Sequence, residues 1–370
     1  MRFILAALPN AAWRLIFAAS LLTGAAVPAF SQNPPLERIQ LPPGFRIEVL
    51  ATVPNARSLA LGANGTLFVG SRSGGAVHAV LPGGKVIKIA DGMSMPNGVA
   101  FKAGTLYIAE VGKIYSMEDI EKNLLSPAKP KIIYDKLPGD VHHGWKFIRI
   151  APDGRLAIPI GAPCNVCDRD GYAQIGFLNL QTKEFQTHAK GIRNSVGFDW
   201  HPQTRELWFT DNGRDWLGDD LPADELNHAP RGGMHFGFPF CHQGDLPDPE
   251  FGRGRKCAEF QPPAQKLGPH VAALGMRFYT GTLFPAEYRN QIFIAEHGSW
   301  NRSKKIGYRI SLVKLEGDKV ISYQPFAQGW LQGESAWGRP VDLEVLPDGS
   351  LAVSDDGAGL IYRISYSGSR

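Results

Sequence analysis

Charge is scarce in this 370-residue chain, and its two signs nearly balance. Asp, Glu, Lys and Arg make up 20% of the residues, the formal net charge is +4, and no run of Lys or Arg exceeds two. Charge therefore does not suggest a nucleic-acid partner. Cysteine is nearly absent, at four residues, and Asp168 follows Cys167, so there is no CxxCH haem-attachment motif. Beyond the N-terminal segment, no apolar run approaches the ~20 residues that a membrane-spanning helix needs. A hydrophobic share of 44% still excludes a disordered polymer. What abounds is turn chemistry: 42 Gly and 28 Pro, about 19% of the chain against roughly 12% in ordinary domains. In a helix interior Gly and Pro cost ~1 and ~3 kcal/mol each, so long helices are disfavoured and short buried segments between turns are expected. The length allows two or three ordinary domains or one large all-β domain.

The N-terminus reads as an address. Arg2 and Arg14 precede the apolar run Leu15–Val27, and the small residues Ala29 and Ser31 lie three and one before a cut ahead of Gln32. This is the layout of a secretory signal peptide over residues 1–31, with an uncut N-terminal anchor as the alternative. The expected location is periplasmic or secreted. Export makes an even number of cysteines readable as two disulfides, and proximity favours Cys164–Cys167 and Cys241–Cys257 among the three possible pairings. A redox or metal site is the rival for the Cys164-x-x-Cys167 spacing.

One pattern recurs through residues 32–370: an alternating strand, a tight turn, and a second strand. The turns are Ala63-Asn-Gly65, Lys102-Ala-Gly104, Pro152-Asp-Gly154, His201-Pro-Gln-Thr204, a longer connection through Pro285, and Pro347-Asp-Gly349. Asn-Gly and Asp-Gly between alternating strands are strong hairpin signals. Six copies predict a single six-bladed β-propeller, because one small sheet cannot bury both faces and must stack on neighbours around an axis. Uneven spacing predicts loop insertions after the third and fourth copies, around the channel mouth. Several second strands finish on acids (Glu110, Asp211, Glu296, Asp355 and Asp356), which predicts polar groups converging near the axis.

Four segments could carry chemistry. His142-His143-Gly144-Trp145 offers an imidazole with an ordinary pKa of about 6.5, suited to a general base. Arg193-Asn194 offers a fork of donors for a carboxylate. Asp211 to Glu225 holds six carboxylates within fifteen residues, a calcium-type oxygen set or simply a solvated acidic loop. Glu296-His297-Gly298 and Gly338-Arg339-Pro340 each place a basic residue beside a blade.

Taken together, these segments resemble the glucose/sorbosone dehydrogenase family of soluble quinoproteins, which use pyrroloquinoline quinone (PQQ). The resemblance runs from about Pro43 to Tyr366 and is nearest to the sorbosone-dehydrogenase-like branch. It is carried by AEHGSWNRS at Ala295–Ser303, IGAPCNVC at Ile160–Cys167 and GRPVDLEVLPDGSLAVSDD at Gly338–Asp356. It implies a six-bladed propeller with PQQ at the channel mouth. It implies His143 as general base, nine positions before Pro152, with His142 where glucose enzymes carry Asp. It also implies PQQ contacts from Arg193, Asn194 and Arg339, with His297 where the glucose enzymes have Lys. Backbone carbonyls of Gly213 and Arg214 would hold Ca²⁺, with Asp224 and Glu225 in the acidic segment after them.

The activity so implied is oxidation of a sugar or sugar aldehyde, of aldose or sorbosone type, by hydride transfer to PQQ. Electrons would pass to a separate soluble or membrane acceptor, a cytochrome or a quinone. The alternatives are a calcium-dependent propeller lactonase or hydrolase, and a non-catalytic carbohydrate-binding propeller.

Overall fold

All six turn-linked strand pairs are antiparallel hairpins, and each forms the two inner strands of one blade. The structure is a computed structural model describing residues 34–368, and the leader expected over 1–31 lies outside the described residues. Pro35–Arg370 cluster into one unit. Blades 1 to 5 begin with the strands Ala56–Leu61, Gly98–Lys102, Arg149–Ile150, Phe198–Trp200 and Ala273–Phe278. Blade 6 begins with Pro340–Val345. No α-helix occurs among the described residues, as the Gly and Pro content predicts.

The ring closes by a strand from the other end of the chain. Phe45–Thr52 pairs antiparallel with Leu360–Tyr366 and becomes the outer strand of blade 6. Phe45 anchors it, with edge-to-face contacts to Phe284 at 4.8 Å and Phe326 at 5.0 Å, on blade 5. Chain ends so joined cannot peel away without breaking both the ladder and this aromatic cluster.

Burial follows position in the blade. The second strands Leu67–Ser71, Leu156–Ile160, Leu207–Asp211, Ile292–Glu296 and Leu351–Asp355 are buried along their whole length, because both of their faces meet neighbouring blades. Outer strands such as Lys131–Tyr134 are half-buried to exposed. At one end of the axis, charged groups link the inner strands. Arg149 bonds Asp199 at 3.1 Å and Glu344 at 3.0 Å, Arg277 reaches Asp342 at 3.4 Å, and Asp342 accepts the Leu59 N–H at 2.8 Å. These groups come from blades 1, 3, 4, 5 and 6, so the network ties five blades together.

The expected insertions are present. Residues 161–173 leave blade 3 and contain the disulfide Cys164–Cys167. Residues 230–264 leave blade 4, form the small hairpin Cys241–His242/Leu246–Pro247, and contain Cys241–Cys257. Both disulfides are those that proximity favoured. No helix among the described residues is long and apolar enough to cross a membrane.

Candidate active site

First strands begin and second strands end at the same end of the axis, so their flanking loops surround one cavity of about 590 Å³. Its lining includes Arg57 and Arg72 from blade 1, Met95 ahead of blade 2, and His142, His143 and Trp145 ahead of blade 3. Arg193, Asn194, Gly213 and Asp224 come from blade 4, His297 and Trp300 from blade 5, and Arg339 from blade 6. Thus His143, Arg193, Asn194, His297, Arg339, Gly213 and Asp224, scattered over nearly 200 residues, meet as expected. Glu225 and Arg214 do not line the cavity.

His143 is fixed in one tautomer. Its Nδ1 lies 2.8 Å from the carbonyl oxygen of Ala162, which can only accept, so Nδ1 carries the proton and Nε2 keeps its lone pair. Burial, followed by the charge of Arg193, pushes its pKa down to about 2, so the imidazole is neutral. The backbone of His143 has φ +50°, a left-handed conformation that non-glycine residues rarely adopt and that strained functional positions often show. Gly161 makes the approach possible, since a Cβ there would lie 2.7 Å from His143 Cβ. His142, at the position where the glucose enzymes carry Asp, is exposed, and its ring packs against that of His143 with centroids 4.1 Å apart.

Arg193 is held by a residue the sequence did not single out. Asn165, inside the Cys164–Cys167 loop, accepts from Arg193 Nε through its carbonyl and from Nη2 through Oδ1, both at 2.9 Å. The same Oδ1 accepts the Asp215 N–H at 2.8 Å, and Asp215 pairs with Arg193 at 2.9 Å. Arg57 is likewise neutralised, by Asp356 at 2.8 Å, and Asp356 accepts from His297 Nε2 at 2.7 Å. Burial lowers the pKa of His297 to about 4, while the pairing with His297 and Arg57 holds Asp356 well below the usual carboxylate range.

Two cations remain unmatched. Arg339 donates only to the carbonyls of His297 and Gly298, at 3.1 and 2.9 Å, and the Arg72 guanidinium carbon lies over the Trp145 ring, 3.9 Å from its centroid. Neither has a carboxylate partner among the described residues. Gly298 is required beneath Arg339: its φ is +100°, and a Cβ would fall 2.3 Å from the Tyr308 ring. The cavity therefore offers two guanidinium groups with charge to spare, suited to the carboxylates of an anionic ligand.

Of the strand-end acids expected to converge near the axis, Asp356 does, bonding Arg57 and His297, whereas Glu110, Asp211, Glu296 and Asp355 do not. Asp211 accepts the N–H groups of Arg193 and Asn194, and Asp355 accepts those of Arg339 and Ala358. Glu296 binds Arg309 and Ser311, and Glu110 binds Ser94. Side chains alternate along a strand, so it is the next residue that faces the mouth: Asn212, His297 and Asp356. The acids instead shape the turns that present Arg193 and Arg339.

The same alternation separates Asp224 from Glu225. Asp224 borders the cavity, accepts the Gly213 N–H at 2.9 Å, and is pushed up to about 6 by burial. Glu225 faces behind the wall, accepts from Asn227 at 2.9 Å and Gln243 at 2.7 Å, and is pushed up to about 7 by burial. Arg214 turns outward to Asp248 at 2.5 Å. No three His, Cys, Asp or Glu side chains converge into a metal cage among the described residues. A cation at Gly213 would thus rely on backbone carbonyls and on its ligand, with Asp224 alongside.

Known proteins share this architecture. The calcium structure of Trichoderma reesei Carbohydrate-Active Enzymes family AA12 superposes with a TM-score of 0.79 at 19% identity, covering 89% of this chain and 97% of that one. The holo form of the pyranose dehydrogenase PQQ domain from Coprinopsis cinerea gives 0.71 at 17% identity, covering 88% and 97%. The PQQ-bound aldose sugar dehydrogenase of Streptomyces coelicolor gives 0.60 at 18%, covering 89% and 100%. At these identities the likeness shows the six-bladed fold. In sequence, an uncharacterised protein of Borreliella burgdorferi is 35% identical over 345 residues, 89% of this chain and 91% of its own. The TrAA12-like family model matches residues 39–367, and the chain belongs to that family.

Proposed function

We propose that this protein is a PQQ-dependent dehydrogenase of sugars or sugar aldehydes. The observation that carries the reading is the pairing, in one cavity, of unmatched Arg72 and Arg339 with a neutral, single-tautomer His143. A polycarboxylate needs the first, and removal of a hydroxyl proton needs the second. The PQQ named for the Coprinopsis and Streptomyces structures supports it. When bound, PQQ supplies an orthoquinone able to accept a hydride, and Ca²⁺ supplies Lewis-acid polarisation of that quinone.

The chain's own residues do the rest. Arg72, Arg193, Arg339 and Asn194 would hold the cofactor's carboxylates, with His297 positioned through Asp356. The backbone carbonyls of Gly213 and Arg214, with Asp224 alongside, would hold Ca²⁺, and Glu225, facing behind the wall, is left out of that set. His143 takes the substrate's hydroxyl proton on Nε2, while Nδ1–H stays on Ala162 and keeps the ring aimed. The chain is read as exported, passing electrons to a cytochrome or quinone acceptor.

Adding PQQ and Ca²⁺ to the apo-protein and following dye reduction with a panel of aldoses and aldehydes tests the reading. Turnover with at least one is expected. PQQ binding without turnover on any substrate would contradict it. A propeller lactonase would hold its calcium with several side-chain carboxylates, whereas the cavity lining supplies two, of which Asp215 is already paired with Arg193 and Asp224 alone is left beside Gly213.

A further inference from the structure

The charged cavity opens through an apolar rim. Trp216 is 69% exposed and Trp300 is 63% exposed, and the two rings meet edge to face at 5.5 Å. Trp300 lines the cavity itself, as does Val141, which is also exposed. Large exposed aromatics are costly surface unless something covers them.

Backbone and loop contacts show that this arrangement is built. Trp216 has φ +71°, the left-handed region in which a bulky residue is an outlier, and the ring gains no burial to offset the strain. The two loops that carry the tryptophans are joined on either side of Trp216 and immediately after Trp300. Asn301 donates to Asp215 at 2.8 Å, Arg302 reaches the carbonyl of Asp219 and the carboxylate of Asp220, and the Ser303 N–H donates to Asp219 at 3.1 Å. The pair is therefore pre-organised, and binding on it loses little conformational freedom.

We propose that Trp216 and Trp300 form a stacking subsite for a second sugar ring, so that the substrate class includes glycosides and oligosaccharides. A pyranose has an apolar C–H face, which suits an indole, and a hydroxyl rim, which suits the neighbouring Asp220 and Arg302. The site is continuous with the cavity in which His143 waits, so one ring reaches the base while the next rests on the ledge. The inference rests on the sugar-dehydrogenase reading.

Tryptophan fluorescence of the apo-protein, titrated with glucose, cellobiose, maltose and maltotriose, is the direct test. At least one disaccharide binds wild type about tenfold more tightly than glucose, the increment expected of one stacked ring. Trp216→Ala and Trp300→Ala lose that increment, and the Phe variants recover part of it. In PQQ-loaded enzyme the disaccharide-to-glucose ratio of kcat/KM falls in parallel. Equal affinities for one and two rings in wild type, or an unchanged ratio in the Ala variants, would overturn the subsite. So would slower reduction of a purified cytochrome c by Trp216→Ala with dye reduction intact, since the ledge would then dock the electron acceptor. Failure of the dehydrogenase reading looks different: loaded wild type reduces dye with no sugar, whatever the apo-protein binds.

Discussion

His143 donates its Nδ1 proton to the carbonyl of Ala162 at 2.8 Å, and this one bond decides which imidazole nitrogen is free to act. His143→Asn is the cleanest probe, because Asn tolerates the φ of +50° and its amide N–H can still reach Ala162. It should keep PQQ affinity and lose roughly 10²–10⁴ in kcat. Steady-state kinetics beside a PQQ titration check both halves, and undiminished kcat would remove His143 from the proton step.

The pH dependence follows from the same residue. With its pKa pushed down to about 2 by burial and Arg193, His143 is already unprotonated through the mildly acidic range. The acid limb of kcat/KM should therefore lie well below the ordinary histidine value of about 6.5. A limb at 6.5 that vanishes in His143→Asn would show a base far less perturbed than the geometry implies.

Arg72 carries a charge with no carboxylate partner among the described residues, whereas Arg57 and Arg193 are paired with Asp356 and Asp215. Arg72→Gln should weaken PQQ binding roughly ten- to a hundredfold, the loss expected for one charge-assisted contact. Absorbance titration of the apo-protein reads this directly.

Asn165 clamps Arg193 from within the Cys164–Cys167 loop. Asn165→Ala should lower PQQ affinity, and the double variant Cys164→Ser/Cys167→Ser should move it in the same direction by a smaller factor. A double variant that binds PQQ as wild type does would show that the loop holds Asn165 without its disulfide.

Glu225 separates a buried carboxyl from a calcium ligand. Its folded pKa of about 7 exceeds the ordinary value near 4.5, so the stability it contributes is present below pH 4.5 and is lost as pH rises through 7. Glu225→Gln should therefore raise Tm at pH 8 relative to wild type, with no gain at pH 5. The orphaned Asn227 Oδ1 provides an acceptor for the new amide once the Asn227 amide turns. A Ca²⁺-induced rise in Tm should survive in Glu225→Gln and fall in Asp224→Asn. The reverse pattern would place the cation behind the wall.

Six hairpins were legible because each turn carries a local signal between alternating residues: Asn-Gly or Asp-Gly in three, Ala-Gly in one and Pro in the other two. Both disulfides were legible from proximity. The closing strand Phe45–Thr52 was not: its partner lies some 310 residues away, and nothing local to FRIEVLAT announces it. Arg57, Arg72 and Asn165 escaped notice because their roles arise from what the fold brings beside them. Of the strand-end acids, Asp356 reaches the mouth as expected and the other four do not. Asp355 and Asp356 differ by one residue, and strand alternation sends the first to the Arg339 backbone and the second to His297.

The most direct measurement is a single turnover. Apo-protein loaded with PQQ and Ca²⁺ is mixed with excess aldose without an electron acceptor, and PQQ absorbance is followed in wild type and in His143→Asn. Rapid bleaching of the oxidised cofactor in wild type, slowed by roughly 10² or more in His143→Asn at equal PQQ occupancy, is the predicted result. Bleaching at the same rate in both, or none in fully loaded wild type with any sugar or sugar aldehyde, would contradict the account.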